Sequence, residues 1–369
     1  MTTTLARCCT RCFTATAVLT TAVLFSFSAA AEAKSANQLR ISGAGASFPV
    51  PLYSKWVSEF QAKHPSILID YQGTGSGAGI KAITDKTVDF GGSDAPLSKK
   101  QLEAIGADKV VQIPATIGAV VPVYNLSGVS SNLNFTGEVL ADIFGGKITQ
   151  WNDAKIASLN PEINLPDAAI TPAWRTDGSG TTFVFTNYLA SHSDFFRENV
   201  GMGSSVKWPG GQGGKGNAGV AAVVQQTAGS IGYVELNYAT QNQLTFGSVK
   251  NDAGKFIKAN PESIAYAASA AAEKLTGQVM ATNLWNQPGE STYPIASFSY
   301  IIAHKDLSNM PTMEHAQALV DFLDWAIHDG QTIANSMDYG PLAPDVQAKV
   351  AENLKLFVYK GQAITPAAR

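Results

Sequence analysis

A chain of 369 residues, 45% apolar and 15% charged, exceeds the size at which one hydrophobic core usually stops growing, so two lobes are expected. The formal charge of -3 and the lack of a long Lys/Arg run exclude a basic face of the kind that tracks a phosphodiester backbone, and no nucleic-acid partner is expected. The 33 glycines fall in several clusters rather than one linker, which points to special turns and close backbone approaches at several places.

The first 33 residues read as a signal peptide. Arg7 and Arg11 precede an uncharged stretch from Phe13 to Ala30, and Ala31 and Ala33 then flank Glu32 in the small-x-small cleavage pattern. The many Ser, Thr and Ala residues of that stretch argue against an uncleaved membrane anchor. Cys8, Cys9 and Cys12 all lie in the leader, ahead of its apolar core, where a lipid-anchoring cysteine does not sit. The expected product is a soluble, disulfide-free monomer exported to a bacterial periplasm.

Along the remaining chain, strand-like and helix-like segments alternate. LRI at Leu39 precedes a helical stretch from Pro49 through Phe60, then come SILIDYQ from Ser66, GIKAITD and VDFGGSD, the βαβα pattern of a mainly parallel sheet covered by helices. The run from Val110 to Leu126 is too long for one strand and contains Pro114 and Gly118, as expected of a chain crossing between lobes. A second long β-like run begins at Tyr293 and precedes an amphipathic helix from Glu314 to Ile327. Two crossings place residues 34–118 and 291–369 in one lobe and 119–290 in the other.

Three strand-to-helix turns share one design: SGAGASFPVP with Ser47, GTGSGAGIKAI with Thr74 and Ser76, and RTDGSGTTFVF with Ser179, Thr181 and Thr182. Free N–H groups and the positive dipole end at a helix start attract an anion, and each hydroxyl adds a donor. Any one such turn is as well explained by an N-cap. Three of them, after parallel strands, open on the same edge of a sheet and converge.

Arg175 and Asp94 define the anion. Arginine is a fixed fork of donors suited to tetrahedral oxyanions. An aspartate beside it repels a fully deprotonated oxyanion but accepts a hydrogen bond from one that keeps a proton, as phosphate does near neutral pH and sulfate does not. A site that hydrogen-bonds a ligand OH can reject an analogue lacking it by roughly 10⁴ to 10⁵. An N-cap or a surface turn before Pro96 would equally place Asp94, and an Asx turn would place Asp177.

The blocks SGAGASFPVPLYSKW, YQGTGSGAGIKAI, VDFGGSDAPLS, RTDGSGTTFVFTNYL, VKWPGGQGGKGN and GSIGYVE, in this order, resemble the periplasmic phosphate-binding proteins of ABC-type phosphate uptake, the PstS family. The resemblance runs from about Leu39 to the last helix. It implies an α/β, two-lobed periplasmic-binding-protein (Venus flytrap, type II) fold that closes on one inorganic phosphate and docks on an inner-membrane ABC permease with its ATPase. It further implies ligand contacts from Ser47, the Phe48 N–H, Ser76, Asp94, Arg175, Ser179, Gly180 and Thr181, with Asp177 orienting Arg175 through an ion pair. Ser47 stands where the family often has threonine, and Gly77 replaces a serine found in some members.

Other patterns lead elsewhere and fail on context. GQGGKG, Gly211 to Gly216, fits G-x-G-x-x-G but follows Trp208 and Pro209 rather than an evident strand, and it lacks the P-loop ending. Asp89, Phe90 and Gly91 spell DFG without a catalytic-loop motif upstream. His64, His192, His304, His315 and His328 are scattered without a metal-ligand pair and are expected at helix ends and surfaces; no metal and no cofactor are expected. The six tryptophans are expected to pack the core rather than stack on a sugar. Two rivals remain: a receptor for sulfate or molybdate, and a phosphomonoesterase using Ser179, which lacks an evident base.

Overall fold

The computed structural model describes residues 38–129 and 132–367; the leader, with its cleavage site and its three cysteines, lies outside the described residues. In chain order the strands are β1 (Leu39–Gly45), β2 (Ile67–Gln72), β3 (Phe90–Ser93), β4 (Val110–Asn125), β5 (Asn134–Phe135), β6 (Thr171–Arg175), β7 (Gln212–Gly214) and β8 (Ser230–Glu235). They continue with β9 (Thr245–Phe246), β10 (Ser248–Lys250), β11 (Phe256–Ile257), β12 (Leu284–Trp285), β13 (Ile295–His304), β14 (Val358–Tyr359) and β15 (Gln362–Ala363). The main sheet runs β2-β1-β3-β13-β4-β8-β6-β7, with β12 on β13 and β9 on β4.

β4 organises the molecule. Its residues from Val110 to Ala119 pair with β13, and those from Val120 to Asn125 pair with β8. The run expected to be too long for one strand is therefore a single strand of 16 residues, long because it serves two half-sheets in succession. Proline survives inside it at an irregularity. Tyr300 pairs with Pro114 while Ser299 pairs with Thr116, so Ala115 is the extra residue of a bulge. The Ala115 carbonyl is met by Gln331 Nε2 at 3.0 Å. Every residue of β13 and all but the last of β4 are buried, which explains their unbroken apolar sequence where an alternating one would mark a half-exposed strand.

The strand directions bring the two half-sheets edge to edge. β1 runs parallel to β2 and β3, β3 is antiparallel to β13, and β13 is antiparallel to β4, so the first set runs the same way as β4. β8 is antiparallel to β4, and β6 is parallel to both β8 and β7, so the second set runs the opposite way. Both sets thus end, at their carboxyl termini, near the middle of β4, where Glu235 pairs with Val120. That edge is where α/β sheets bind ligands, and here two such edges face each other.

Helices cover both halves. Val50–Lys63 buries Leu52, Tyr53, Trp56 and Phe60, begins with prolines flanking Val50, and ends on Lys63, as the helix dipole favours. Met313–Ile327 packs on β1 and on Val50–Lys63, and Pro344–Leu354 packs on Met313–Ile327. Trp56 and Trp151 are fully buried, donating their indole N–H to the Gly330 and Gly229 carbonyls at 2.7 and 2.9 Å. His304 departs from the expectation for the histidines: it is buried at the end of β13, with Nε2 2.7 Å from the Ile83 carbonyl.

Candidate anion site between the half-sheets

Each carboxyl-terminal strand end delivers one part of the site. β1 leads into Ser47 and Phe48, β2 into Ser76 at the start of helix Ser76–Thr84, and β3 into Asp94. From the other half, β6 ends on Arg175 and leads to helix Gly180–His192, with Ser179 as its N-cap accepting from the Thr182 N–H at 2.9 Å. Ser47, Phe48, Ser76, Asp94, Arg175 and Ser179 are buried, and Asp177, in the turn between Arg175 and Ser179, is half-buried.

The halves touch through these residues. Ser76 Oγ accepts from the Gly180 N–H at 3.1 Å, the Gly77 N–H donates to the Gly178 carbonyl at 2.9 Å, and Tyr238 Oη donates to the Ser47 carbonyl at 2.6 Å. The carbonyl and N–H of a trans peptide point in opposite directions, so the Phe48 N–H faces away from Tyr238. The Phe48 carbonyl accepts from Tyr339 Oη at 2.8 Å, and its ring packs edge-on against Tyr339. Contact is close enough to require glycine: a Cβ on Gly180 would lie 2.5 Å from Asp94 Oδ2 and from Ser76 Oγ. Gly75, at φ +102°, would place one 2.4 Å from Asp177 Oδ2.

Two aspartates flank the site in opposite electrostatic states. Asp177 holds Arg175 in a two-pronged pair, Oδ1 on Nε at 2.8 Å and Oδ2 on Nη2 at 2.5 Å, and its Oδ1 also accepts from the Gly216 N–H at 3.0 Å. Burial pushes the Asp177 carboxyl up, but Arg175 and the N–H donors outweigh it and hold it below the usual carboxylate range. Asp94 receives Ser299 Oγ at 2.8 Å and lies 3.5 Å from Ser76 Oγ. Burial dominates there, and the carboxyl is pushed up to about 7 despite Ser299, Arg175 and Ser76.

Several participants escaped sequence reasoning. Ser299 sits in the middle of β13 beside the β4 bulge, and nothing local marks it. Asn217 donates from Nδ2 to Ser47 Oγ at 3.1 Å and to Thr181 Oγ1 at 3.2 Å. The sequence signal for Asn217 is the GQGGKGN block, ahead of which no strand is evident in the sequence. In the structure β7 lies inside that block and helix Gly216–Gln226 follows it, making a fourth strand-to-helix turn. The first N–H groups of that helix are taken by Asp177 and Ser47, so the turn belongs to this site rather than to a dinucleotide. Glu235 is also buried here; among the described residues its Oε1 has no hydrogen-bond partner, and burial pushes its carboxyl well above the usual range.

His192 lies at the far end of its helix from Ser179, its Nε2 3.2 Å from Asn286 Oδ1. Among the described residues no group of His, Cys, Asp and Glu is arranged to hold a metal ion, and no helix is long and apolar enough to cross a membrane.

The chain matches the model of the PBP superfamily domain over residues 28–329. It is 47% identical over 317 residues to the phosphate-binding protein PstS of Pasteurella multocida, covering 85% of this chain and 90% of that one. It is 44% identical over 322 residues to PstS of Xylella fastidiosa, covering 86% of each. Its fold superposes with a TM-score of 0.67 and 21% identity on a high-affinity periplasmic phosphate-binding protein solved with phosphate bound, over 85% of this chain and 93% of that one. With the two-part sheet and the facing strand ends already described, these likenesses place the chain in the PBP superfamily and, within it, in the PstS family of phosphate-binding proteins.

Proposed function

We propose that this chain is a periplasmic receptor that closes its two lobes on one inorganic phosphate and hands it to an inner-membrane ABC permease. The lobes are residues 34–118 with 291–369, and 119–290, joined by β4 and by the segment entering β13. The observation that carries the reading is the pairing of a buried, permanently charged Arg175 with a buried Asp94 whose carboxyl titrates near neutrality. Arg175, Thr181, Ser179 and the Gly180 N–H neutralise and hold the oxygens, Ser47, Ser76 and the Phe48 N–H complete the cage, and Asp94 accepts the ligand's proton. Asp177 keeps the guanidinium in place.

Capture on one lobe followed by closure about the crossing segments brings the other lobe's donors to the anion, and opening at the permease releases it. The chain acts as a binder rather than a catalyst: the Ser179 hydroxyl caps its own helix, and the histidine nearest in sequence is engaged with Asn286. A sulfate or molybdate receptor is disfavoured by Asp94, since neither anion offers it a proton near neutral pH.

Calorimetric titration of the protein, stripped of bound ligand, with phosphate and with sulfate as competitor tests the proposal. Tight one-to-one phosphate binding that excess sulfate leaves intact is expected, and Asp94→Asn weakens that selectivity. Equal competition by sulfate, or no heat with phosphate, overturns it. Turnover of a chromogenic phosphate ester by the wild type overturns the non-catalytic part.

A further inference from the structure

Three hydroxyls in the site are each approached by two N–H donors. Ser47 Oγ accepts from the Asn217 backbone N–H and from Asn217 Nδ2, both at 3.1 Å. Thr181 Oγ1 accepts from Arg175 Nη1 and from Asn217 Nδ2, both at 3.2 Å. Ser76 Oγ accepts from the Gly180 and Asp94 N–H groups at 3.1 and 3.2 Å, and its proton faces Asp94 Oδ2 at 3.5 Å. A hydroxyl has two lone pairs and one proton, so a hydroxyl that accepts twice has only its proton left to offer.

Asn217 accounts for three of those six donations and is itself fully buried. Its orientation is forced. The Glu235 backbone N–H, 3.0 Å from Asn217 Oδ1, requires an acceptor there, which turns both amide hydrogens toward the two hydroxyls. Asn217 is also one of the residues at which the halves interlock: Ser47 follows β1, whereas Thr181 and Glu235 belong to the other half.

We propose that Asn217 is a positioning residue that locks the Ser47 and Thr181 hydroxyls into proton-donating orientations, so that both meet an oxyanion as donors. The inference rests on the phosphate-receptor reading and adds to it the origin of the site's polarity. An unconstrained hydroxyl can turn a lone pair toward the ligand; one held by two N–H donors cannot. Ser47 and Thr181 are thereby removed as acceptors of a ligand proton, and that role is left to groups such as Asp94.

A mutant cycle read by titration of inorganic phosphate tests this. The proteins are wild type, Asn217→Ala, Ser47→Ala with Thr181→Val, and all three changes together. Asn217→Ala is expected to weaken binding roughly tenfold to a hundredfold, the scale of one or two lost hydrogen bonds. The same change made in the background lacking both hydroxyls is expected to weaken it less than about threefold, because the groups through which Asn217 acts are gone. Equal losses in the two backgrounds mean a merely structural role and overturn the inference. So does wild-type affinity in Asn217→Ala. Should Asn217→Ala not fold, Asn217→Asp decides: it keeps an acceptor for the Glu235 N–H but draws both hydroxyl protons away from the ligand. Because the added charge repels phosphate in any background, the comparison is again with the background lacking both hydroxyls: a loss at least about threefold greater where the hydroxyls are present supports the inference, and a smaller difference overturns it. Wild type that gives no heat overturns the phosphate reading and this inference with it, whereas wild-type binding with equal losses overturns this inference alone.

Discussion

The two halves of the candidate site offer different chemistry. The half built on β6 and β7 offers permanent charge: Arg175 fixed by Asp177, with helix N–H groups and Thr181 beside it. The half built on β1, β2 and β3 carries no cation among the site residues and ends in Asp94, a carboxyl balanced near its own titration point. The same residue type is thus driven in opposite directions. Asp177 is partly exposed and paired with a cation, so it stays ionised; Asp94 is buried with hydroxyl partners, so its charge is costly. On the proposed reading, one half recognises that the ligand is an anion, and the other that the anion retains a proton.

Removing the charged half is expected to have the largest effect. Arg175→Ala leaves Asp177 unpaired and takes away the cation, and truncation of a buried, hydrogen-bonded charge costs roughly 2 to 5 kcal/mol, about 30- to 5,000-fold in affinity. Phosphate titration checks it, and a loss below tenfold would remove Arg175 from the ligand's shell.

Next is the seam itself. Gly180→Ala forces a methyl against Asp94 and Ser76 at 2.5 Å and is expected to hold the halves apart. Overpacking of this kind costs roughly 1 to 3 kcal/mol, or 5- to 150-fold in phosphate affinity, and small-angle scattering with phosphate should find a more open particle than wild type.

Asp94→Asn separates binding from stability. The folded carboxyl titrates near 7 against 3.8 for an ordinary aspartate, so between those values the folded protein holds the extra proton. Stability of the ligand-free protein therefore falls as pH rises through that window, by about 4 kcal/mol at about 1.4 kcal/mol per unit. Asp94→Asn is expected to melt higher than wild type at pH 7.5 without ligand, while losing selectivity over sulfate. A variant that melts lower there would mean the carboxylate is stabilised in the folded state.

The smallest effect is expected at Glu235. Its raised carboxyl adds a loss of stability with rising pH in the same direction as Asp94, and Glu235→Gln should reduce that slope. Phosphate affinity should move by less than about threefold, because Asn217 is held by the Glu235 backbone rather than by its side chain. A larger change would bring the Glu235 carboxyl into the binding equilibrium.

Much of this site is local in the chain and could be read there. Helix starts rich in Gly, Ser and Thr after apolar runs, an arginine opening one of them, and an aspartate after GGS are short-range patterns with short-range causes: capping, dipoles and the space that glycine leaves. The order of those blocks carried the family. Ser47, Ser76, Asp94, Arg175, Ser179 and Thr181 stand out in such patterns, whereas the Phe48 N–H, Gly180 and the pairing of Asp177 with Arg175 come from the resemblance alone; the fold brings them to one seam.

What the patterns lacked was anything set by residues distant in sequence. Ser299 reaches Asp94 across 205 positions only because a bulge at Ala115 sets the register of β13 on β4. Asn217 reaches Ser47 across 170 positions only because two oppositely directed half-sheets end face to face. The length of β4 misled a local reading for the same reason, since a strand serving two half-sheets has no ordinary length. The charge state of Asp94 is likewise a property of its burial, and burial is decided by the whole packed chain: identical carboxyls at 94 and 177 acquire opposite shifts from surroundings that no short window of sequence contains.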